Sequence, residues 1–217
     1  MTDRSDRTAA AARRTYRHGD LRRALLDAGI ALAREGGPDA IVLREATRRA
    51  GVVPNAAYRH FASRQALFEA VRAAALGALA RVIERRWARA QHIADPAARA
   101  RALLRAVGAG YLAFAQAETG LFRTAFAAGE HDVQVPADPA RTGTLGLNPF
   151  ELLGAALDAM TQAGVLPAAR RPGAEYLAWS AVHGMALLCI DGPLRRASAA
   201  ARRALGERVV EMVEQGL

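Results

Sequence analysis

Leu43 to Phe61 runs LREATRRAGVVPNAAYRHF, and it spells a short helix, a tight turn and a second short helix. Leu43 to Ala50 carries a small helical face. Gly51 can take the left-handed conformation that ends a helix, and Pro54 suits the first position of the next one. The second helix is expected over Asn55 to His60, with Asn55, Ala56, Tyr58 and Arg59 turned outward and Phe61 closing it against a core. Such a helix has the side chains to address a major groove. Asn bonds an adenine edge with two hydrogen bonds, Arg a guanine edge, and Ala touches a thymine methyl. Arg44, Asn55 and Arg59 are therefore candidates for base contact, while Tyr58, His60 and Arg64 suit phosphates.

Working outward, Asp20 is placed as an N-cap, and Leu21, Leu25, Ala28 and Leu32 form one face of a helix that stops at Gly36-Gly37-Pro38. Ser63 caps a long helix, expected over about residues 63–91, in which Leu67, Val71, Leu76, Leu79, Ile83 and Trp87 share a face. At ~1.5 Å per residue it is about 40 Å long, a natural link between this segment and whatever follows. The first seventeen residues are polar and rich in Ala and Arg with no helical stripe. Arg13, Arg14 and Arg17 there form a basic arm of the kind that enters a minor groove, or simply a solvated tail.

Residues Tyr16 to Val71 as a whole resemble the DNA-binding domain of TetR-type transcriptional regulators, above all in the order Gly51, Tyr58, Phe61, Arg64, Leu67, Phe68. Far downstream, Trp179, His183 and Gly184 stand as W-S-A-V-H-G, similar to the regulatory domain of a TetR subgroup named for those three residues. The resemblance implies an all-α protein of about nine helices. It implies a helix-turn-helix domain over 18–72 and a helical ligand-binding and dimerisation domain over 73–217. It also implies a dimer on a palindromic operator of double-stranded DNA, relieved by a small, largely apolar effector. The chain departs from the family pattern before each motif helix. Val42 and Val53 stand where Ser or Thr caps are common, at a cost of about 1 kcal/mol for each missing cap. A helical small-molecule binder with weakened sequence-specific DNA binding is accordingly the alternative reading.

The second domain is legible mainly through caps and stripes. Asp95-Pro96 and Asn148-Pro149 each open a helix, the first with Leu103, Val107, Tyr111 and Phe114 on a face, the second with Leu153, Ala156, Leu157 and Met160. Leu121 to Ala128 predicts a short helix. From Gly129 to Leu147, Pro136, Pro139, Gly143 and Gly146 interrupt any periodicity, so a long loop is expected. Ala174 to Ile190 is apolar nearly all round and predicts a helix buried on most sides. Ser198 starts the last helix.

Six aromatic and soft apolar residues, Phe114, Phe122, Phe126, Met160, Trp179 and Met185, are candidates for an effector cavity, although each alone is more simply core. His183, inside an apolar helix, needs a hydrogen-bond partner, either a structural one on another helix or the ligand. Tyr176, Leu187, Leu205, Val209, Met212 and Val213 on the last two helices are candidates for a dimer interface.

Composition bounds the rest. The 217 residues, 52% hydrophobic, suffice for a large core, and all 30 basic residues are Arg. Residues 1–72 hold 14 Arg against 8 Asp and Glu, so most of the net +9 sits with the motif. The single Cys189 excludes an intrachain disulfide and suits a buried thiol in a reducing cytoplasm. No signal sequence, membrane span or bound cofactor is expected. The five His share no metal-ligand spacing, and Gly108-Ala109-Gly110 lies in a helical pattern rather than after a strand, so no enzyme is expected.

Overall fold

The computed structural model describes residues 18–127 and 138–217, and among them there are nine α-helices and no strand. The chain divides into two compact units, one ending at Val71 and one running from Arg72 to Leu217. The basic arm with Arg13, Arg14 and Arg17 lies outside the described residues.

The first unit holds α1 (His18–Gly36), a 3-10 turn (Pro38–Ala40), α2 (Leu43–Arg49), α3 (Pro54–Ala57) and the opening of α4 (Arg64–Ala90). α1 begins two residues before Asp20, so that residue lies in the first turn of the helix and not at its cap. Leu25, Leu32, Ile41, Leu43, Ala57, Phe61, Leu67 and Val71 form the core, each at or below 6% exposure. These are the apolar faces that period 3.6 picks out, brought together from four helices. Arg22 lies over the Phe61 ring, 5.3 Å from its centroid. Ser63 caps α4 by accepting a hydrogen bond from the Ala66 N–H.

The second unit comprises the rest of α4, then α5 (Pro96–Ala117), α6 (Thr119–Ala125), α7 (Pro149–Gln162), α8 (Ala174–Ile190) and α9 (Ala199–Gly216). α5 is its centre and packs against α6, α7, α8 and α9. The expected caps form. Asp95 accepts from the Ala98 N–H, Ser198 accepts from Ala201, and Asn148 and Glu151 make a reciprocal capping box at the start of α7. Gly108 and Gly110 let α5 lie close to its neighbours, since a Cβ on Gly110 would stand 2.9 Å from the Cα of Ile83.

Three expectations need correction here. α6 starts at Thr119 and ends at Ala125, with Phe126 as its C-cap, because the last helical N–H bond is that of Phe126 to the Phe122 carbonyl. α8 is not buried on most sides. Tyr176, Leu177, Leu187 and Leu188 are 41% to 64% exposed, forming an open stripe, and a helix that is apolar all round gives no sequence signal of which face is covered. The loop before α7 is organised over residues 138–147. Asp138 caps a 3-10 turn (Pro139–Arg141), and the next residues are fixed on Glu84 of α4, a carboxylate that is only 7% exposed. Glu84 accepts from the Thr144 N–H and hydroxyl at 2.8 Å each and from the Leu145 N–H at 2.9 Å. Gly143 permits this approach, because a Cβ there would lie 2.2 Å from Glu84 Oε1.

Candidate DNA-reading motif and effector cavity

The turn of the motif is built as its residues require. Gly51 takes φ +67°, in the left-handed region, and its neighbour Val52 returns its N–H to the Thr47 carbonyl. Leu43, Ala46 and Thr47 turn inward from α2, and the Thr47 hydroxyl donates to the Leu43 carbonyl. Val42 occupies the N-cap position in an extended conformation, with no side chain to satisfy the first helical N–H groups. α3 is shorter than expected. It spans Pro54–Ala57 and not Asn55 to His60, because the N–H groups of His60 and Phe61 both turn back to the Ala57 carbonyl and tighten the end of the helix.

The outward set is nevertheless the one expected from sequence. Arg44 on α2, Asn55 on α3, and Tyr58 and Arg59 in the turn after it are exposed, Ala56 and His60 are half-buried, and Pro54 opens α3. Arg64 is placed differently. Its Nε donates to the Ile41 carbonyl at 2.8 Å and its Nη2 to the Pro38 carbonyl at 3.1 Å, so the guanidinium ties the start of α4 to the segment before α2. A second tie was not legible in the sequence. Arg49 bonds Glu35 of α1 with two hydrogen bonds at 2.7 Å and also meets Glu45, which Arg48 clasps from one turn on. The hydrogen bonds from Arg48 and Arg49 hold the Glu45 carboxyl at about 2, well below its ordinary range. Arg48 and Arg49 are thus partly neutralised by these carboxylates, while Arg44 and Arg59 are exposed.

The second unit contains a cavity of about 150 Å³ walled by α4 to α9 and the 138–142 segment. Of the candidates, Phe126 and Trp179 line it. Phe114, Phe122, Met160 and Met185 do not; they are at most 6% exposed and fill the core, since core and cavity positions share one helical period. His183 stands behind the wall. The Trp179 Nε1–H donates to the Tyr111 hydroxyl oxygen at 3.1 Å, and the same hydroxyl is hydrogen-bonded to Nδ1 of His183, 2.7 Å away. Burial pushes the Tyr111 phenol up from its ordinary value, so it stays protonated. Tyr111, Phe122, Phe126, Trp179 and His183 form a continuous aromatic cluster with neighbouring centroids 4.9 Å to 6.2 Å apart. Leu153 of the α7 stripe also lines the cavity, as do Arg72, Arg141 and Phe150, which had no sequence signal because they come from a helix, a loop and a cap region that only the fold assembles.

Among the interface candidates, Tyr176, Leu187 and Met212 are exposed and Leu205 and Val209 half-buried, but Val213 faces the cavity and is 9% exposed. Val213 therefore belongs with the core of the unit. Cys189 is buried, and desolvation raises its thiol pKa, against a smaller opposing pull from Arg202. Among the described residues no cluster of His, Cys, Asp and Glu is arranged to hold a metal ion, and no helix is long and apolar enough to cross a membrane.

A helix-turn-helix unit joined by one continuous helix to an all-helical unit with its own cavity defines a class, that of two-unit helical regulators. The comparisons narrow it. Residues 25–71 match the family described as bacterial regulatory proteins, tetR family, and residues 104–213 match the tetracyclin repressor-like C-terminal domain. The chain belongs to the TetR family and is a DNA-binding transcriptional regulator of that family. Neither description names the narrower subgroup suggested by W-S-A-V-H-G. A structure of a protein with unknown function from Rhodococcus sp. RHA1 is similar at 26% identity and TM-score 0.70, covering 94% of this chain and 98% of that one. A putative TetR-family transcriptional regulator from Mesorhizobium loti MAFF303099 shares the fold at 17% identity and TM-score 0.50, covering 92% of this chain and 97% of the other. A TetR-family regulator from Streptomyces coelicolor A3 gives 18% identity and TM-score 0.45, with 92% and 98% covered. No curated protein matches.

Proposed function

We propose that the protein is a ligand-responsive repressor that binds a palindromic operator as a homodimer in the cytoplasm. The observation that carries the reading is the outward set Arg44, Asn55, Tyr58 and Arg59, held around the Gly51 turn on a buried core. Asn55, Arg44 and Arg59 address base edges, while Tyr58 and His60 hold phosphates. Dimer symmetry sets two such helices in successive major grooves, with half-sites about 34 Å or somewhat more apart. The exposed apolar residues Tyr176, Leu177, Leu187, Leu188 and Met212 supply the surface that a second copy covers.

The cavity supplies the response. Arg72 and Leu76 line it from α4, the same helix that begins in the first unit at Arg64. A ligand that favours one placement of α4 shifts the population between forms with different half-site separation, and so with different DNA affinity. The alternative of a ligand binder with weakened DNA recognition draws on Val42, which leaves α2 without a side-chain cap.

Sedimentation of the wild-type chain and of Leu187→Glu, each free and with a selected duplex, tests the dimeric reading. The expected outcome is a dimer and two chains per duplex for the wild type, with monomers and much weaker binding for the variant. Specific binding by a wild-type monomer would overturn it.

A further inference from the structure

We infer that Val53 is a specificity-determining residue of the DNA-reading motif and contacts the 5-methyl group of one thymine in each half-site. This rests on the base-reading role given to the motif above and adds a base that its polar residues do not read.

The first argument is placement. Val53 is 68% exposed, more than any other large apolar residue among the described residues. It lies in the same outward run as Asn55, Tyr58 and Arg59. Its backbone is held on both sides. The Val52 N–H bonds the Thr47 carbonyl at 3.2 Å, and the Val53 carbonyl accepts from the Ala56 N–H at 3.0 Å. Branching at Cβ leaves few side-chain rotamers, so two methyl groups are presented at a fixed place.

The second argument is cost. Single exposed valines are ordinary on protein surfaces. This one stands just before α3, with its carbonyl opening the helix, where Ser, Thr, Asp or Asn would also satisfy a helical N–H. Valine offers no acceptor there, and at 68% exposure it gains little from burial. Val42, which also leaves its helix without a side-chain cap, is only 43% exposed. A side chain that neither caps nor packs within the chain is explained by an apolar feature of what the motif binds.

Chemistry identifies that feature. Valine can hydrogen-bond neither a base edge nor a phosphate, and the apolar group that base pairs display in the major groove is the thymine 5-methyl. Asn55, two residues on, suits an adenine edge instead. Ala56, the other residue able to touch a methyl group, is half-buried, so Val53 projects further.

Binding of the full wild-type chain to a selected duplex, with each thymine in turn replaced by deoxyuridine in both half-sites, tests the assignment. The replacement deletes the methyl and keeps the base pairing. At one position the wild type is expected to lose about fourfold in affinity per half-site, or about fifteenfold for the pair, as burial of one methyl implies. Val53→Ala is expected to bind the thymine duplex more weakly than the wild type does and to show no further loss at that position. Val53→Ser should behave like Val53→Ala on DNA while raising the urea midpoint by capping α3, which separates base reading from a structural role. Equal losses in the wild type and Val53→Ala at every thymine, or no thymine sensitivity in the wild type, would overturn the inference. A sequence-specific complex without that coupling overturns only the role of Val53, whereas the lack of any specific complex removes the base-reading assignment beneath it.

Discussion

Replacing Glu84 with alanine removes the acceptor on which residues 142–145 are fixed, and the cost can be worked from the contacts. Three hydrogen bonds are lost, two at 2.8 Å and one at 2.9 Å, all to a carboxylate that is 7% exposed. Thr144 and Leu145 are themselves exposed, so their freed N–H groups can turn to water. A net contribution of about 1 kcal/mol for each bond then applies, giving about 3 kcal/mol in all. Gly143→Ala attacks the same clamp from the other side, because its Cβ would sit 2.2 Å from Glu84 Oε1 and the carboxylate has to leave. It should therefore cost about the same, and the double variant should cost about 3 kcal/mol rather than about 6, a coupling near the top of the usual range. Urea unfolding followed by tryptophan fluorescence measures this cleanly, as Trp87 and Trp179 both lie in the second unit. Additive losses, or a Glu84→Ala effect below about 0.5 kcal/mol, would refute the clamp, since 0.5 is what a surface substitution costs.

Other expectations follow from the first unit. Arg64→Ala should lower stability by about 1–2 kcal/mol through its two carbonyl bonds and leave the salt dependence of DNA binding unchanged; a salt slope reduced by about 1 at constant stability would make Arg64 a phosphate contact instead. Val42→Thr should add about 1 kcal/mol of stability by capping α2, read as a shift of the urea midpoint in circular dichroism. Asn55→Ala should relax preference at one base position by about 1–3 kcal/mol, seen in binding to duplexes varied one base at a time, whereas uniform weakening would contradict base reading. Glu45 gives a pH dependence. Its folded pKa is depressed to about 2 from the ordinary 4.5, so its pairing stabilises the fold above 4.5 and the contribution is lost as pH falls towards 2. The melting difference between wild type and Glu45→Gln should be full at pH 6 and shrink through that window, and a difference independent of pH would show that the pairing contributes nothing.

What could be read from the sequence was local. Gly51, Pro54 and the caps at Ser63, Asp95, Asn148 and Ser198 announce themselves because each acts on backbone within a few residues. The clamp of Glu84 on Thr144 joins residues 60 positions apart, and the tie of Arg64 to Ile41 crosses 23, so no periodicity reveals either. The cavity was legible as a set of aromatics but not as a wall. Phe122 and Phe126 lie one turn apart on α6 and its cap, and only the placement of α5 and α8 makes the first core and the second lining. The open stripe on α8 was hidden for a related reason, as Leu187 and Leu188 look no different from the buried Met185 and Ala186 beside them.

The most direct test of the account is selection of bound sequences from a random duplex pool by the purified wild-type protein, carried out at two salt concentrations. The account predicts that the same palindrome is recovered at both, with weaker binding at the higher salt as phosphate contacts are screened. Recovery of no common sequence, with binding that vanishes at the higher salt, would contradict it and leave only charge attraction between an Arg-rich surface and DNA.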